Sequence, residues 1–180
     1  SRMKFEGLLE NEFTLSDKAL RNKNTADSDV IDVPVENLVL DEENITIFGD
    51  FSQDSIDSLS KDIENDGFKG AILAYPIRKD GDLQFYQIES GHKRYLAAKQ
   101  AGLKKVPVIV TEIPKSDAER RLRLISMNLH TRETPKPSIL ANEAAILLNS
   151  IRELREEEGL STDMTTLTQL VAERMERSTK

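Results

Sequence analysis

The chain has 180 residues, of which 38% are apolar and 32% charged, and its net charge is −7. This composition is typical of a globular protein and not of a disordered chain. The chain contains no Cys and two His, which excludes disulfide scaffolds, Cys-based zinc or iron–sulfur sites, thiol nucleophiles and His-rich metal centres. No segment approaches the roughly 20 apolar residues that span a bilayer, and no apolar run near the start suggests a secretory signal. We therefore expect a cytoplasmic protein without membrane contact.

The charge is distributed unevenly along the chain. Residues 91–136 contain eleven Lys or Arg and four acidic residues, a net charge of +7, so the remaining residues carry −14. This asymmetry predicts an anionic ligand near the middle of the chain. An exposed, solvated charged face is the structural alternative.

The first elements predicted are an arm, a strand and a loop. Residues 1–29 mix charged, polar and scattered apolar side chains, so we expect a mobile N-terminal arm. Residues 31–35 alternate as a strand does, and Pro34 indicates an edge or the start of that strand. The polar run at 41–44 predicts a loop.

A helix and a β-hairpin are predicted next. Ser52 or Asp54 is the expected N-cap of the helix, and Gly67 is expected to end it in the left-handed conformation. Its apolar stripe consists of Ile56, Leu59 and Ile63. An Asp-Gly turn between the runs 71–77 and 83–88 predicts the hairpin.

The sequence after the hairpin predicts one further helix and one further strand, and after them only helices. A helix over 95–101 is closed by Gly102, and 106–110 form a strand. The second half predicts a helix from Asp117 to about Leu129, a long helix from Pro137 to Gly159, and an apolar helical pattern within 161–180. We interpret this last pattern as the first helix and turn of a helix-turn-helix. A plain C-terminal helix is the alternative.

The most informative segment for function is a strand that leads into Gly91. A helix that begins with basic residues follows it. Backbone N–H groups at the start of a helix attract anions. Gly91 lacks the Cβ atom that would block a ligand, Lys93 supplies a point charge and Arg94 offers a bidentate fork. This pattern predicts a phosphate site, although simple helix capping explains the same residues.

The order of elements from residue 31 to residue 110 resembles the N-terminal domain of the ParB family of chromosome and plasmid partition proteins. The family's phosphate motif is Gly-Glu-Arg-Arg, followed by an aromatic residue and an Ala-Ala pair. Here it reads Gly91-His92-Lys93-Arg94-Tyr95-Leu96-Ala97-Ala98. A second family element, Glu-Asn followed by Gln-Arg, is matched by Asn128 and Arg132, with Met127 at the Glu position and one extra residue before the Arg.

The resemblance implies an α+β fold with a small mixed sheet and packed helices, similar to sulfiredoxin, followed by an all-helical region. It implies a mobile arm at 1–29, a nucleotide-binding domain at 30–113, and a helical region at 114–180 leading into a truncated DNA-binding helix-turn-helix. The implied ligands are CTP and Mg²⁺. Its implied partners are DNA, a second copy in a homodimer, and a ParA-like ATPase that contacts the arm, which places the protein at the nucleoid.

The resemblance also implies roles for particular residues. Five would contact the nucleotide phosphates, namely Ser90, Gly91, His92, Lys93 and Arg94. Four would form the base pocket, namely Gly67, Phe68, Lys69 and Gly70. Asn128 would be a ligand of the metal. Independently of the resemblance, four arginines of the basic region are expected to contact DNA or phosphate, namely Arg120, Arg121, Arg123 and Arg132.

Most of these residues also have a purely structural interpretation. His92 could be an exposed capping residue, and Asn128 could cap or bridge helices. Phe68 and Tyr95 could pack in the core or at its edge. The arginines of the helix after Asp117 could form an exposed helix face.

Two other activities match parts of the pattern, and a third is excluded. Free-serine kinases with a related fold carry Asp-Gly-His-X-Arg, which Gly91-His92-Lys93-Arg94 resembles, although Ser90 replaces the Asp and no general base can be singled out. A metal nuclease needs clustered carboxylates, and Glu89 is the only acid beside the loop. Sulfiredoxin activity is excluded because it requires a thiol. We therefore expect a nucleotide-gated DNA-binding protein that is at most a slow CTPase, with an adenine-nucleotide kinase as the alternative.

Overall fold

The structure is a computed structural model, and it describes residues 30–128 and 137–177, the last two by their backbone alone. These residues form two compact units, an α+β unit at 30–113 and a helical unit from residue 114 onward. The predicted N-terminal arm and Arg132 lie outside the described residues, so their predictions stand as made. None of the described helices is long and apolar enough to cross a membrane.

The α+β unit contains one five-stranded mixed sheet. Its strands are β1 (Val30–Pro34), β2 (Leu38–Val39), β3 (Ile72–Asp80), β4 (Leu83–Ser90) and β5 (Lys105–Val110). Their order is β1-β5-β3-β4-β2. The pairs β1–β5 and β3–β4 are antiparallel, whereas β2–β4 and β3–β5 are parallel. The predicted hairpin is confirmed as β3–β4, and β1 is an edge strand, as Pro34 indicated.

Three helices accompany the sheet. They are α1 (Glu42–Phe48), α2 (Gln53–Asp66) and α3 (His92–Gln100), and a short 3₁₀ turn, Val35–Asn37, connects β1 with β2. The apolar face of the sheet packs on α2 and α3 in one core that includes Ile63, Ile72, Ile88, Ala97, Ala98, Val106 and Val108. This burial explains the helix stripe and the strand alternation that the sequence shows.

The caps of α2 are as predicted, with one difference. The hydroxyl of Ser52 accepts a hydrogen bond from the backbone N–H of Ser55 at 3.2 Å, which makes Ser52 the N-cap. Gly67 ends the helix with a positive φ of 81°, but its ψ is 172°. Its backbone therefore lies outside the left-handed helical region that we predicted.

The loop predicted at 41–44 is wrong, because α1 begins there. The Asp41 carboxylate accepts a hydrogen bond from the backbone N–H of Glu43 at 3.0 Å, and the acids of the first turn face the positive end of the helix dipole. Ile47 and Phe48 of this helix are buried. The polar residues at its start gave no indication of this packing in the sequence.

The helical unit contains α4 (Asp117–Asn128), α5 (Pro137–Glu157) and α6 (Met164–Arg177). Its interior includes Leu122, Ile125, Leu147, Ile151 and Leu167. Ser116, one residue before the predicted Asp117, accepts a hydrogen bond from the N–H of Glu119 at 3.2 Å and caps α4. Helix α6 confirms a helix in the tail, and its assignment to a helix-turn-helix stays a prediction.

Candidate functional site

Three chain segments meet at the end of the sheet where β4 terminates. β3 runs antiparallel to β4, so the segment preceding Ile72 lies at this same end of the sheet. β2 runs parallel to β4, with Val39 opposite Gln87, so the segment following β2 lies there as well. Since β4 sits between β3 and β2, the segment that precedes Ile72 lies on one side of the end of β4, and the residues directly after Val39 lie on the other.

Gly91 occupies a position that strongly favours glycine. Its φ is 99°, in the left-handed region, and a Cβ atom there would lie 3.2 Å from Cγ1 of Ile72. His92 begins α3 directly after it, and the N–H of Tyr95 donates to the Gly91 carbonyl at 2.9 Å. The N–H groups of the first helical turn have no intrahelical acceptor, so they are available to an anion at this position.

Arg94 joins this loop to the predicted base pocket. Its Nη1 donates to the backbone oxygen of Lys69 at 3.2 Å, and its guanidinium lies 5.9 Å from the centre of the Phe68 ring. A Cβ atom at Gly70 would lie 2.6 Å from Nη1 of Arg94. The structure therefore brings the 67–70 segment and the phosphate motif together, with the Arg94 side chain filling the space between them.

The electrostatic environment of Arg94 is unusual for a half-buried cation. Burial lowers the pKa of its guanidinium, although an arginine stays charged at neutral pH. Among the residues that the structure describes, none forms an ion pair with Arg94, and Lys69 supplies its hydrogen bond. A desolvated positive charge without a counter-charge favours an anionic ligand.

The neighbouring motif residues differ in exposure. Lys93 and Ser90 are half-buried, whereas His92 is only 3% exposed. His92 is therefore not an exposed cap, contrary to the structural alternative suggested by the sequence. Tyr95 lies in the core cluster, which confirms its packing role, and Phe68 packs against the edge of the same cluster.

The sequence analysis did not include several buried polar residues in the predicted site. Leu73 pairs with Ser90 and Ala74 with Ile88, so Glu89 is the extra residue of a β-bulge. Glu89 is 3% exposed, and its carboxylate accepts a hydrogen bond from the Thr111 hydroxyl at 2.8 Å. Asp41 and Asn44, at the start of α1, are 4% and 1% exposed. The only available sequence signal was the presence of polar residues beside a predicted strand end.

The arginines of α4 are not equivalent. Arg120 lies 3.3 Å from the Asp117 carboxylate, and Arg121 is half-buried. Arg123 is 6% exposed, and its Nη1 lies 3.9 Å from Oε1 of Glu119. Arg123 is therefore buried and does not belong to the exposed helix face of the structural alternative, and its contact with DNA or phosphate stays a prediction.

Asn128, the predicted metal ligand, is 1% exposed at the end of α4. Its amide nitrogen donates to the Leu124 carbonyl at 2.7 Å, which fixes the amide group on its own helix, as in the capping alternative. Within the described ranges, no group of three or more His, Cys, Asp or Glu side chains could hold a metal ion.

Comparison with known proteins identifies the family. The model of the ParB N-terminal domain family matches residues 20–129. The chain belongs to this family. A curated relative, the chromosome-partitioning protein ParB of Myxococcus xanthus, is 34% identical over 89 residues, which are 49% of this ParB-family chain and 28% of the relative. The chain thus spans little more than a quarter of that protein.

Two solved structures resemble this ParB-family chain. The C-terminally truncated ParB of Caulobacter crescentus bound to the centromeric parS site has a TM-score of 0.51 at 23% identity, covering 81% of this chain and 70% of that one. The same protein bound to CTP-gamma-S has a TM-score of 0.46 at 26% identity, covering 81% and 76%. The first of these confirms the predicted fold class.

Proposed function

We propose that this chain is the nucleotide-binding and DNA-binding part of a ParB-type partition or regulatory protein, and that CTP with Mg²⁺ controls its action on DNA. One observation carries the proposal: the half-buried Arg94 guanidinium is held beside Gly91 and the start of α3, without a carboxylate partner in the described residues. An arginine has five N–H donors, and Lys69 uses one of them. The others suit phosphate oxygens, which an arginine binds in bidentate fashion.

The remaining phosphate contacts follow from position. Backbone N–H groups of Gly91 and of the first turn of α3 supply neutral donors, and Lys93 adds a second positive charge. Ser90 and His92 complete the proposed set. For Mg²⁺ we propose the amide oxygen of Asn128, because this ion accepts a single protein oxygen together with phosphate oxygens and water.

The proposed DNA contacts use the basic region of the chain. Arg120, Arg121 and Arg132 are its proposed phosphate contacts, since Lys and Arg provide the sequence-independent part of DNA affinity. The Caulobacter relative is complexed to a parS site, and we propose a DNA site of that kind here. We further propose a homodimer, a ParA-like ATPase that binds residues 1–29, and association with the nucleoid.

We propose a switch with slow or absent turnover in preference to an enzyme. The second family element lacks its Glu, which Met127 replaces, so little remains to activate a water molecule. The competing function is a free-serine kinase, which the His92 of the Gly-His-X-Arg pattern favours. A kinase would select an adenine nucleotide, so nucleotide preference separates the two functions.

The test is calorimetric titration of the full chain with CTP, UTP, ATP and GTP, each with and without Mg²⁺. We expect CTP to bind most tightly and Mg²⁺ to strengthen its binding. Selective ATP binding would support the kinase, and absence of binding by all four would contradict both functions. A parS-containing duplex, titrated with and without CTP, then tests the control of DNA binding. An unchanged DNA affinity and lifetime would contradict that control.

A further inference from the structure

Helix α1 contains a buried amide with unmet hydrogen-bonding capacity. Asn44 is 1% exposed, and in the part of the chain that the structure describes neither Oδ1 nor Nδ2 of its side chain has a hydrogen-bond partner. Its backbone N–H, in contrast, donates to the Asp41 carbonyl at 3.0 Å. Buried polar groups of folded proteins are almost always hydrogen-bonded, so this exception calls for a physical explanation.

α1 is not anchored in the main core of the α+β unit. Two of its apolar residues, Ile47 and Phe48, are buried, but neither belongs to the cluster in which α2 and α3 pack on the sheet. Ile45 of the same helix is 42% exposed. A movement of α1 therefore leaves the packing of that cluster in place.

The segment that carries α1 has fixed ends and a glycine between them. On one side Val39 pairs with Gln87 of β4, and on the other the Ser52 hydroxyl accepts a hydrogen bond from the N–H of Ser55 and caps α2. Gly49 ends α1 with a φ of 79°, and no atom lies within 4 Å of the position that a Cβ atom would take there. A glycine combines backbone freedom with this open space, so Gly49 is suited to act as a hinge.

We propose that α1 is a two-position element, which opens as a unit about Gly49 while the sheet, α2 and α3 stay folded. The structure shows the closed position, in which burial of the Asn44 amide without partners raises the free energy. Opening returns the amide to water, and one such group increases the open population roughly tenfold. Local opening of this kind is common in elements that pack outside the main core.

The two positions differ in the surface that they present. Opening exposes Ile47 and Phe48, which are buried in the closed position. A partner that binds this apolar pair would shift the population toward the open position, and a partner that packs on closed α1 would shift it back. The proposal concerns the α+β unit by itself and does not depend on the nucleotide site.

A single introduced thiol measures the opening, because the chain has no cysteine of its own. The experiment compares Ile47→Cys with Ile63→Cys on the full chain, which replace isoleucines of α1 and α2 that are 3% and 6% exposed. With a thiol reagent in excess, we expect position 47 to react at least about a hundredfold faster than position 63. Low concentrations of urea should leave the rate at position 47 unchanged, since a local opening exposes little surface. Equal rates at the two positions would overturn the proposal.

A second pair of substitutions tests the role of the amide. Asn44→Leu removes it, and Asn65→Leu changes an exposed Asn of α2, each in the Ile47→Cys protein. We expect Asn44→Leu to slow the labelling of position 47 about tenfold and Asn65→Leu to leave it unchanged. Labelling that stays the same or becomes faster in Asn44→Leu would show that the amide does not drive the opening, which would overturn the proposal.

Hydrogen exchange of the wild type decides if the thiol variants do not fold. The hydrogen-bonded amides of α1 should exchange at least about a hundredfold faster than those in the middle of α2. Low urea should not accelerate the exchange of the α1 amides. Equal exchange rates in the two helices would overturn the proposal.

Discussion

Nη1 of Arg94 lies 2.6 Å from the place that a Cβ atom would take at Gly70. The two residues are 24 positions apart in the chain, yet the absence of a side chain at one creates the space for the guanidinium of the other. Gly91, on the far side of the same guanidinium, would place a Cβ atom 3.5 Å from its Nη2. The second distance is an ordinary van der Waals contact, so Gly70 is the glycine that makes room for the arginine.

Substitution of Gly70 should disturb the proposed nucleotide site more than the fold. In Gly70→Ala the methyl group would displace the Arg94 guanidinium, and the φ of 77° is strained for alanine. We expect a stability loss of about 1 kcal/mol and CTP binding at least about tenfold weaker. Gly81→Ala is the control, because Gly81 has a φ of 57° and no atom near its Cβ position. Equal CTP affinities of the two variants would contradict this role of Gly70.

The Thr111 hydroxyl should stabilise the bulge that precedes the phosphate loop. Thr111→Val keeps the shape of the side chain and removes the hydrogen bond to the buried Glu89 carboxylate. We expect a loss of about 1–3 kcal/mol in urea unfolding. Thr46→Val, which changes an exposed helix hydroxyl, should alter stability by less than about 0.5 kcal/mol. A Thr111→Val protein as stable as the wild type would show that this bond contributes nothing.

Within the helical unit, a polar contact joins α4 to α6. Nε of Arg174, a residue that is 5% exposed, donates to the Ser126 hydroxyl at 2.9 Å. Ser126→Ala removes this acceptor from a buried charge, so we expect a destabilisation of about 1.5–3 kcal/mol. Chemical denaturation checks this value against Ser138→Ala, which changes an exposed serine of α5. Similar midpoints for the two variants would refute the contribution.

The N-cap of α6 should make stability depend on pH in the acid range. A hydrogen bond from the Ser161 hydroxyl and another from the Thr166 N–H lower the pKa of Asp163 from 3.8 to about 2. A lowered carboxyl pKa stabilises the folded state above the ordinary pKa, and this stabilisation is lost as the pH falls through the folded value. In Asp163→Ala the melting temperature should therefore be lower at neutral pH. Its difference from the wild type should shrink between pH 4 and pH 2, and a constant difference would contradict the assignment.

Local patterns were sufficient to predict most elements. The stripe and caps of α2, the Asp-Gly turn of the β3–β4 hairpin, and Pro137 at the start of α5 are all short-range signals, and the structure confirms them. α1 was missed because its first residues are polar, and its buried Ile47 and Phe48 provide too little periodicity over seven residues.

The site was predicted less completely, for a physical reason. Arg94 was predicted to be a phosphate ligand from its position after Gly91, but its hydrogen-bond acceptor at Lys69 lies 25 residues away. Likewise, the burial of Glu89 depends on a bulge in strand pairing, and that of Asn44 depends on the placement of α1. Such positions follow from contacts distant in sequence, which a motif does not contain.

The most direct test of the nucleotide site is the CTP affinity of Arg94→Ala measured beside that of Arg78→Ala. Arg78 is an exposed arginine of the hairpin whose guanidinium lies 4.5 Å from the Phe85 ring centre, so the two variants lose the same charge at different places. We predict that Arg94→Ala, with its circular dichroism unchanged, binds CTP about a hundredfold more weakly than the wild type, while Arg78→Ala binds as the wild type does. Equal affinities of all three proteins would contradict the account.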